Sequence, residues 1–333
     1  MVQPPTPSVA IAGAGPTGIA CAIELGQRGI GATCYDRGGI LDAIYHFPEE
    51  MRWYSTRDLL DIAGVPFASP EAHPSRLETL AYYRGVAERF DVQVAPETTV
   101  EEARPEPGGG LRVRLAGRSG SREIAAPAAI LATGFFGNPR RMSVPGEDLP
   151  HVHTRYVSGY PFHGRDVVVV GGRNSASEAA LDLYRHGARV TMVVRGPAIS
   201  DRVKYWIKPD LENRIRAGAI RAFFDARVVE ITDEAVRLQH PGGEAVVTAD
   251  AVFPLVGYEP DFALFERCGI RMQGPQRIPT HDPDTLESNV PNLYLAGAML
   301  TGVEIGKIFI ENSRHHAGMI ATAIERRLRL VPA

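Results

Sequence analysis

Near the start of the chain the run Gly13-Ala14-Gly15-Pro16-Thr17-Gly18 carries the first chemical signal. Each glycine has a mechanical purpose: Gly13 allows a tight turn, Gly15 lets a diphosphate approach the backbone, and Gly18 lets a helix pack closely on a strand. A helix that begins here presents free N–H groups and its positive dipole end to phosphate oxygens. Asp36, further along, stands where a carboxylate accepts hydrogen bonds from a ribose. A second cluster, Gly171-Gly172-Arg173-Asn174-Ser175-Ala176, follows the same plan, except that Arg173 occupies the place usual for the second glycine. Asn174 and Ser175 can cap a helix and bond a phosphate, and Ser175 with Glu178 reads as a capping box. Arg195 ends the strand that follows. A carboxylate there would hold a ribose 2′-hydroxyl, whereas an arginine pairs with a 2′-phosphate, which favours NADPH over NADH. Arg202 and Lys204 are near enough in sequence to assist.

These residues need strands and helices to position them, and the surrounding pattern supplies both. Val9 to Ala12 reads as a buried strand, Ile19 to about Gln27 as a helix, and Ala32 to Tyr35 as a second strand ending at Asp36. This is a βαβ unit of about 30 residues, the context in which a glycine motif becomes specific. Ser75-Arg76-Leu77-Glu78 is a capping box ahead of a helix from Leu77 to Phe90. Short strands follow near Gln93, Val100 and Leu111 to Leu115, with Pro105 to Gly110 as a hairpin-like break. Ala128 to Leu131 is a strand running into Ala132-Thr133-Gly134. The second βαβ unit begins at Asp166, with Val167 to Val170 as its first strand, a helix to about His186 and a strand from Arg189 to Val194. A helix from about Pro209 to Ala217 and several short strands lead to Pro254. The strand Leu293 to Ala296 ends at Gly297, and a C-terminal helix is expected from about Val303 to Arg327.

The pattern predicts an α/β protein with two Rossmann-like dinucleotide-binding domains, the later one inserted into the earlier. The expected boundaries are 1–140 with 258–333 for the outer domain and 141–257 for the inserted one. Two identical cofactors would have little to exchange, whereas a flavin and a nicotinamide can pass a hydride. FAD is therefore expected in the first cradle and NADPH in the second.

Composition agrees with two globular domains. The chain has 333 residues, 44% hydrophobic and 23% charged, which excludes disordered and fibrous classes. Its 36 basic and 39 acidic side chains leave a formal charge of −3. That balance offers no footprint for nucleic acid or an anionic membrane. No uninterrupted apolar run approaches the roughly 20 residues of a spanning helix. No basic residue precedes an apolar run at the N-terminus, so no secretory signal is expected; a cytoplasmic protein and a homo-oligomer are expected. Cys21, Cys34 and Cys268 form no CxxC pair and no metal-ligand spacing. His151 and His153 would share a strand face, but no third ligand accompanies them, and His315-His316 on a helix point in different directions. No metal site is expected.

Several segments are more specific than the glycines. Asp42-Ala43-Ile44-Tyr45-His46-Phe47-Pro48, Leu80-Ala81-Tyr82-Tyr83-Arg84, Val144-Pro145-Gly146-Glu147-Asp148-Leu149-Pro150, Trp206-Ile207-Lys208-Pro209 and Ile308-Phe309-Ile310-Glu311-Asn312 join the two cradles. Together they resemble the low-molecular-weight thioredoxin reductase group, and within it the bacillithiol disulfide reductases, the YpdA family. Arg173 resembles that family's pattern too. The resemblance implies a reductase that moves electrons from NADPH through FAD to a small-molecule disulfide, with bacillithiol disulfide as its substrate. It implies cofactor contacts at Gly13, Gly15, Pro16, Thr17, Gly18, Asp36, Tyr45, His46, Thr133, Gly134, Gly297, Ala298 and Ile308 for the flavin. For the nicotinamide coenzyme it implies Gly171, Gly172, Arg173, Asn174, Ser175 and Arg195. Tyr45 and His46 would lie beside the flavin, and Gly297-Ala298 near its ribityl chain, with Ala298 replacing the acid usual in thioredoxin reductases.

One position departs from the family. Members carry a cysteine directly after the proline of the first glycine loop, and here Thr17 stands there, a hydroxyl without redox chemistry. Cys21, one helical turn on, is expected to face the core. The absence of CxxC excludes a relay through a protein dithiol. The N-terminus of the C-terminal helix, near Val303 to Lys307, is expected to stabilise negative charge on reduced flavin. Besides the disulfide reductase, two readings stay open: a flavin-dependent NADPH oxidase or monooxygenase, and a non-catalytic sensor that binds both nucleotides.

Overall fold

The computed structural model describes residues 8–304 and 306–330. Contacts divide the chain into two compact units. The first comprises the residues up to Tyr45, Met51–Asn138 and those from Glu259 onward; the second comprises His46–Glu50 and Pro139–Tyr258.

In the first unit β1 (Val9–Ala12) is buried at all four positions, as befits a parallel strand covered on both faces. α1 (Pro16–Gly26) starts a turn before the expected Ile19, with Gly15 as its N-cap and a proline in its first turn. Proline fits there because its fixed φ suits a helix and its missing N–H would have no intrahelical acceptor. β2 (Ala32–Tyr35) pairs parallel with β1. After the short α2 (Asp42–Tyr45), α3 (Arg76–Arg89) opens on the expected Ser75–Glu78 capping box. β3 (Gln93–Ala95) joins the parallel sheet. β4 (Thr98–Pro105), β5 (Leu111–Gly117) and β6 (Gly120–Ala126) form an antiparallel meander. Gly109 and Gly110 supply the positive φ that its first turn needs. β7 (Ala129–Leu131) then returns to the parallel sheet beside β1.

The second unit repeats the plan. β8 (Asp166–Val170), α4 (Asn174–Arg185) and β9 (Arg189–Val193) form its βαβ element. α5 (Lys208–Arg216) and β10 (Arg221–Phe223) follow. β11 (Arg227–Ile231), β12 (Ala235–His240) and β13 (Gly243–Thr248) make an antiparallel sheet before β14 (Ala251–Pro254). The parallel sheet runs β10-β9-β8-β14. Val168, Val170, Val193 and Val252 on one of its faces pack against Val228, Val236 and Leu238 of the antiparallel sheet. That shared layer is the core of the unit.

The chain then returns to the first unit with α6 (Phe262–Arg267), β15 (Met272–Gln273), β16 (Ile278–Pro279) and β17 (Leu293–Leu295). The first parallel sheet is thereby completed in the order β17-β7-β1-β2-β3.

The expected single C-terminal helix is corrected to two, α7 (Ile310–Ser313) and α8 (His316–Leu330). The segment from Val303 is not helical. The Val303 N–H is taken by the Gln276 carbonyl at 2.8 Å, and Gly302 and Gly306 have φ of +57° and +99°. The helix N-terminus expected near Val303 to Lys307 is therefore absent, and Lys307 pairs with Glu304 instead. His315 falls in the turn between α7 and α8. His151 and His153 flank Val152, whose isolated bridge to Val252 is made by the His153 N–H and the His151 carbonyl. Among the described residues no helix is long and apolar enough to cross a membrane.

Candidate dinucleotide-binding sites

The first cradle is assembled from segments far apart in sequence. Gly13 has φ +106°, and a Cβ there would stand 2.6 Å from the Ala132 carbonyl oxygen and 3.3 Å from the Thr133 Cα. The turn thus packs directly against the end of β7. A Cβ on Gly18 would strike the Gly13 carbonyl at 2.0 Å, so the start of α1 presses on the turn as expected. Gly15 differs: its backbone is extended and nothing lies within 4 Å of its Cβ position. A side chain there would project into open space at the N-terminus of an 11-residue helix. That open, amide-lined turn fits a diphosphate.

Asp36 is held at the end of β2 by two backbone donors, Ala14 N at 2.8 Å and Gly38 N at 3.0 Å, one to each carboxylate oxygen. Burial raises its pKa, and the two N–H donors oppose that rise. Each oxygen keeps a second lone pair for a ribose hydroxyl. Gly297 stands at the cradle, its Cβ position 3.4 Å from the Thr17 hydroxyl oxygen.

Two residues close this site, Ser313, which the motif reading did not single out, and His316, which it considered only as a metal ligand. Ser313, 2% exposed, lies with its hydroxyl 3.2 Å from that of Thr17. His316 accepts a hydrogen bond from the Gly297 N–H at its Nδ1, 3.1 Å away. Its pKa is lowered to about 4 by burial, with His281 and His315 adding repulsion. A neutral ring that accepts at Nδ1 is the state this geometry requires.

Other predicted residues are less closely tied to the cradle. Gly134 has φ +63° after the exposed Thr133. Tyr45 ends α2 and is 61% exposed, its carbonyl accepting from Arg76 Nη1 at 2.5 Å. His46 groups with the second unit. Ala298 opens a 3₁₀ turn, and Ile308 precedes α7, half-buried.

The second cradle is more local. Gly171 has φ +139°, and a Cβ on it would meet the Leu255 carbonyl oxygen at 2.5 Å. A Cβ on Gly172 would meet Val194 at 2.7 Å. Arg173 is the extended N-cap of α4, with no side-chain cap bond, and its side chain is exposed. The expected Ser175–Glu178 capping box is therefore corrected: Ser175 already lies within the first helical turn. Asn174 does not cap the helix either. Its side chain instead bonds to the loop beyond β9, accepting from Lys204 N at 3.0 Å and donating to the Arg202 carbonyl at 3.4 Å. Arg195 lies two residues past the end of β9, exposed, as a 2′-phosphate partner must be. The open helix start and this arginine fit a phosphorylated dinucleotide.

The family model for pyridine nucleotide-disulphide oxidoreductases matches residues 10–297, a span that includes both glycine turns. The chain belongs to that family. This oxidoreductase is 36% identical to "Bacilliredoxin reductase Bdr" of Bacillus subtilis (strain 168), across 95% of this chain and 97% of that protein. Among solved structures it superposes on the "Bacillithiol Disulfide Reductase Bdr (YpdA)" of Bacillus cereus with a TM-score of 0.93. Identity there is 37%, covering 96% of this chain and 99% of that one. The corresponding Staphylococcus aureus structure gives a TM-score of 0.90 at 31% identity, covering 96% and 98%. The oxidoreductase is thus a flavoprotein of the disulfide reductase type, with two parallel-sheet units of dinucleotide-binding design.

Its cysteines have no part in an exposed redox pair. Cys21, Cys34 and Cys268 are all free and buried. Burial raises the Cys21 thiol pKa well above its ordinary value, that of Cys34 to about 12 and that of Cys268 to about 11. None supplies a thiolate at neutral pH. Among the described residues no three His, Cys, Asp or Glu side chains gather as metal ligands.

Proposed function

We propose that the protein reduces a low-molecular-weight thiol disulfide, with bacillithiol disulfide as the substrate, drawing electrons from NADPH through FAD. The observation that carries this reading is the near full-length likeness to bacillithiol disulfide reductases, together with two cradles of different build. We assign FAD to the first unit and NADPH to the second, with the protein in the cytoplasm. When bound, the flavin and the nicotinamide supply a pair between which a hydride passes.

The chain's own residues divide the remaining work. The Gly13–Gly18 turn and the first amides of α1 hold one diphosphate, and Asp36 accepts from the ribose beside it. Thr133, Gly134, Gly297, Ala298, Ile308, Tyr45 and His46 complete our proposed flavin contacts. Gly171, Gly172, Arg173 and Ser175 border the second diphosphate, and Arg195 selects the 2′-phosphate. Thr17 offers a hydroxyl where a thiol would permit a mixed disulfide. Since all three cysteines are buried, no protein thiol takes over the substrate sulfur, and the disulfide must be reduced without a covalent protein intermediate.

That same burial favours a second reading, an NADPH oxidase with oxygen as acceptor. One experiment separates the two: NADPH consumption by the purified yellow protein under anaerobic conditions, with and without bacillithiol disulfide. Acceleration by the disulfide, with stoichiometric thiol release, is expected. Turnover that requires oxygen and ignores the disulfide would replace the reductase by the oxidase. Thr17→Cys should raise disulfide turnover if this turn faces the substrate, and unchanged turnover would remove Thr17 from the substrate path.

A further inference from the structure

The loop between β9 and α5 has an apolar spacing of four. Ile199, Val203 and Ile207 are 3%, 4% and 6% exposed. With those three anchored inward, the intervening Tyr205 and Trp206 are forced out, at 81% and 48% exposure. Their rings meet edge to face, with centroids 4.8 Å apart and planes at 85°. Lys204 Nζ lies 5.6 Å from the indole centroid.

The loop that carries this aromatic pair is tied to the second cradle within one unit. Ser200 N donates to the Gly172 carbonyl at 3.0 Å. Asn174 spends both ends of its amide on the same loop, at Arg202 O and Lys204 N. The charge around it is basic as well. The exposed guanidinium groups of Arg173, Arg195 and Arg202 have no carboxylate partner among the described residues. An exposed aromatic face beside unpaired guanidinium groups is the chemistry that recognises a phosphorylated nucleoside.

We infer that Trp206, braced edge to face by Tyr205, is the platform on which the adenine of the 2′-phosphorylated coenzyme stacks. The inference rests on the NADPH reading of this cradle and deepens it. Adenine fits better than the pyridine end for two reasons. The loop continues from the strand end that carries Arg195, and the 2′-phosphate belongs to the adenosine ribose. Lys204 beside the indole would also repel an oxidised, cationic nicotinamide ring, whereas adenine is neutral. Trp206 acts as a positioning and specificity residue and takes no part in hydride transfer.

The chain has two tryptophans, so Trp53→Phe leaves Trp206 as the sole indole reporter. The flavin-loaded Trp53→Phe protein is titrated with 2′,5′-ADP and, separately, with nicotinamide mononucleotide. Emission is followed in parallel with calorimetric heat. Saturable change of Trp206 emission by 2′,5′-ADP alone is expected, with one dissociation constant from both methods. Trp206→Leu should weaken 2′,5′-ADP roughly tenfold by calorimetry, and Trp206→Phe should restore most of that loss. Heat of binding with unchanged emission, and an unchanged constant in Trp206→Leu, would overturn the platform while leaving the NADPH reading intact. A response to nicotinamide mononucleotide alone would overturn the adenine assignment. Absence of any binding of 2′,5′-ADP would remove the NADPH reading and the platform together.

Discussion

The two cradles start from the same sequence plan and end as different sites. The first draws Gly13–Gly18, Asp36, Ala132–Thr133, Gly297, Ser313 and His316 together from across the chain. The second needs the Gly171–Ser175 turn, the Leu255 carbonyl behind it and the loop from Val194 to Trp206. Many distant contacts converging on one turn make its conformation depend on the whole unit, and a ligand there is shared among several elements. A local, open turn with unpaired arginines instead offers electrostatic attraction that the solvent can renew. The difference suits a resident cofactor at one site and an exchanging coenzyme at the other.

The strongest way to break this comparison is at Gly15. Its backbone is extended, which any residue adopts, and nothing in the protein occupies its Cβ position. Gly15→Val should therefore leave the apo fold intact while filling the space we assign to a diphosphate. The expected result is a folded, colourless protein by circular dichroism and visible absorbance. A variant purified with full flavin content would remove the first cradle from the account. The matching change in the second cradle is Arg195→Ala. Loss of a charge-assisted phosphate pair should raise the KM for NADPH by about tenfold to a hundredfold, with NADH little changed. Equal effects on the two coenzymes would mean that Arg195 does not read the phosphate.

How much of this was legible beforehand follows the same division. β1, α1, β2 and β8, α4, β9 were readable because buried apolar runs and glycine turns are local signals. The Ser75–Glu78 box was readable for the same reason. Thr17 meets Ser313 from 296 positions away, and no local spacing records that pairing. His316 reads only as half of a pair unsuited to metal, because its partner is a backbone N–H beyond β17. The start of the C-terminal helix was misplaced since Val303 bonds to Gln276, a tertiary contact that periodicity does not report. Asn174 carries the right residue type for a phosphate, yet the folded loop claims its amide first.

His316 turns the tertiary character of the first cradle into a pH dependence. Its folded pKa, about 4, lies below the ordinary 6.5. Above pH 6.5 both folded and unfolded states hold a neutral ring, so there is no effect. As pH falls from 6.5 towards 4 the unfolded chain takes up a proton that the folded one resists, and stability declines. The loss should be about 1–2 kcal/mol, allowing for solvent around a half-buried ring. His316→Gln keeps an acceptor for the Gly297 N–H without titrating, so denaturant unfolding of this variant should lack that decline. A slope identical to the parent's between pH 6.5 and 4 would mean that His316 is solvated in the native state.

The smallest effect provides the control that shows whether the first cradle responds as a site or merely as part of a unit. Ser75→Ala removes the N-cap of α3, in the same unit but outside the glycine turn, and should cost about 1 kcal/mol. Its pH signature differs from that of His316. Backbone and hydroxyl donors from Ser75, with the Ser69 hydroxyl, hold the Glu78 carboxyl down at about 2 instead of 4.5. A depressed carboxylate stabilises the fold above pH 4.5 and loses that contribution as pH falls towards 2. The Ser75→Ala deficit should therefore be constant from neutrality to about pH 4.5 and shrink only below it, under the His316 window. Flavin content should stay that of the parent throughout. If Ser75→Ala lost flavin as Gly15→Val is expected to, retention would depend on the stability of the unit as a whole, and the contrast between a built cradle and an open one would have no basis.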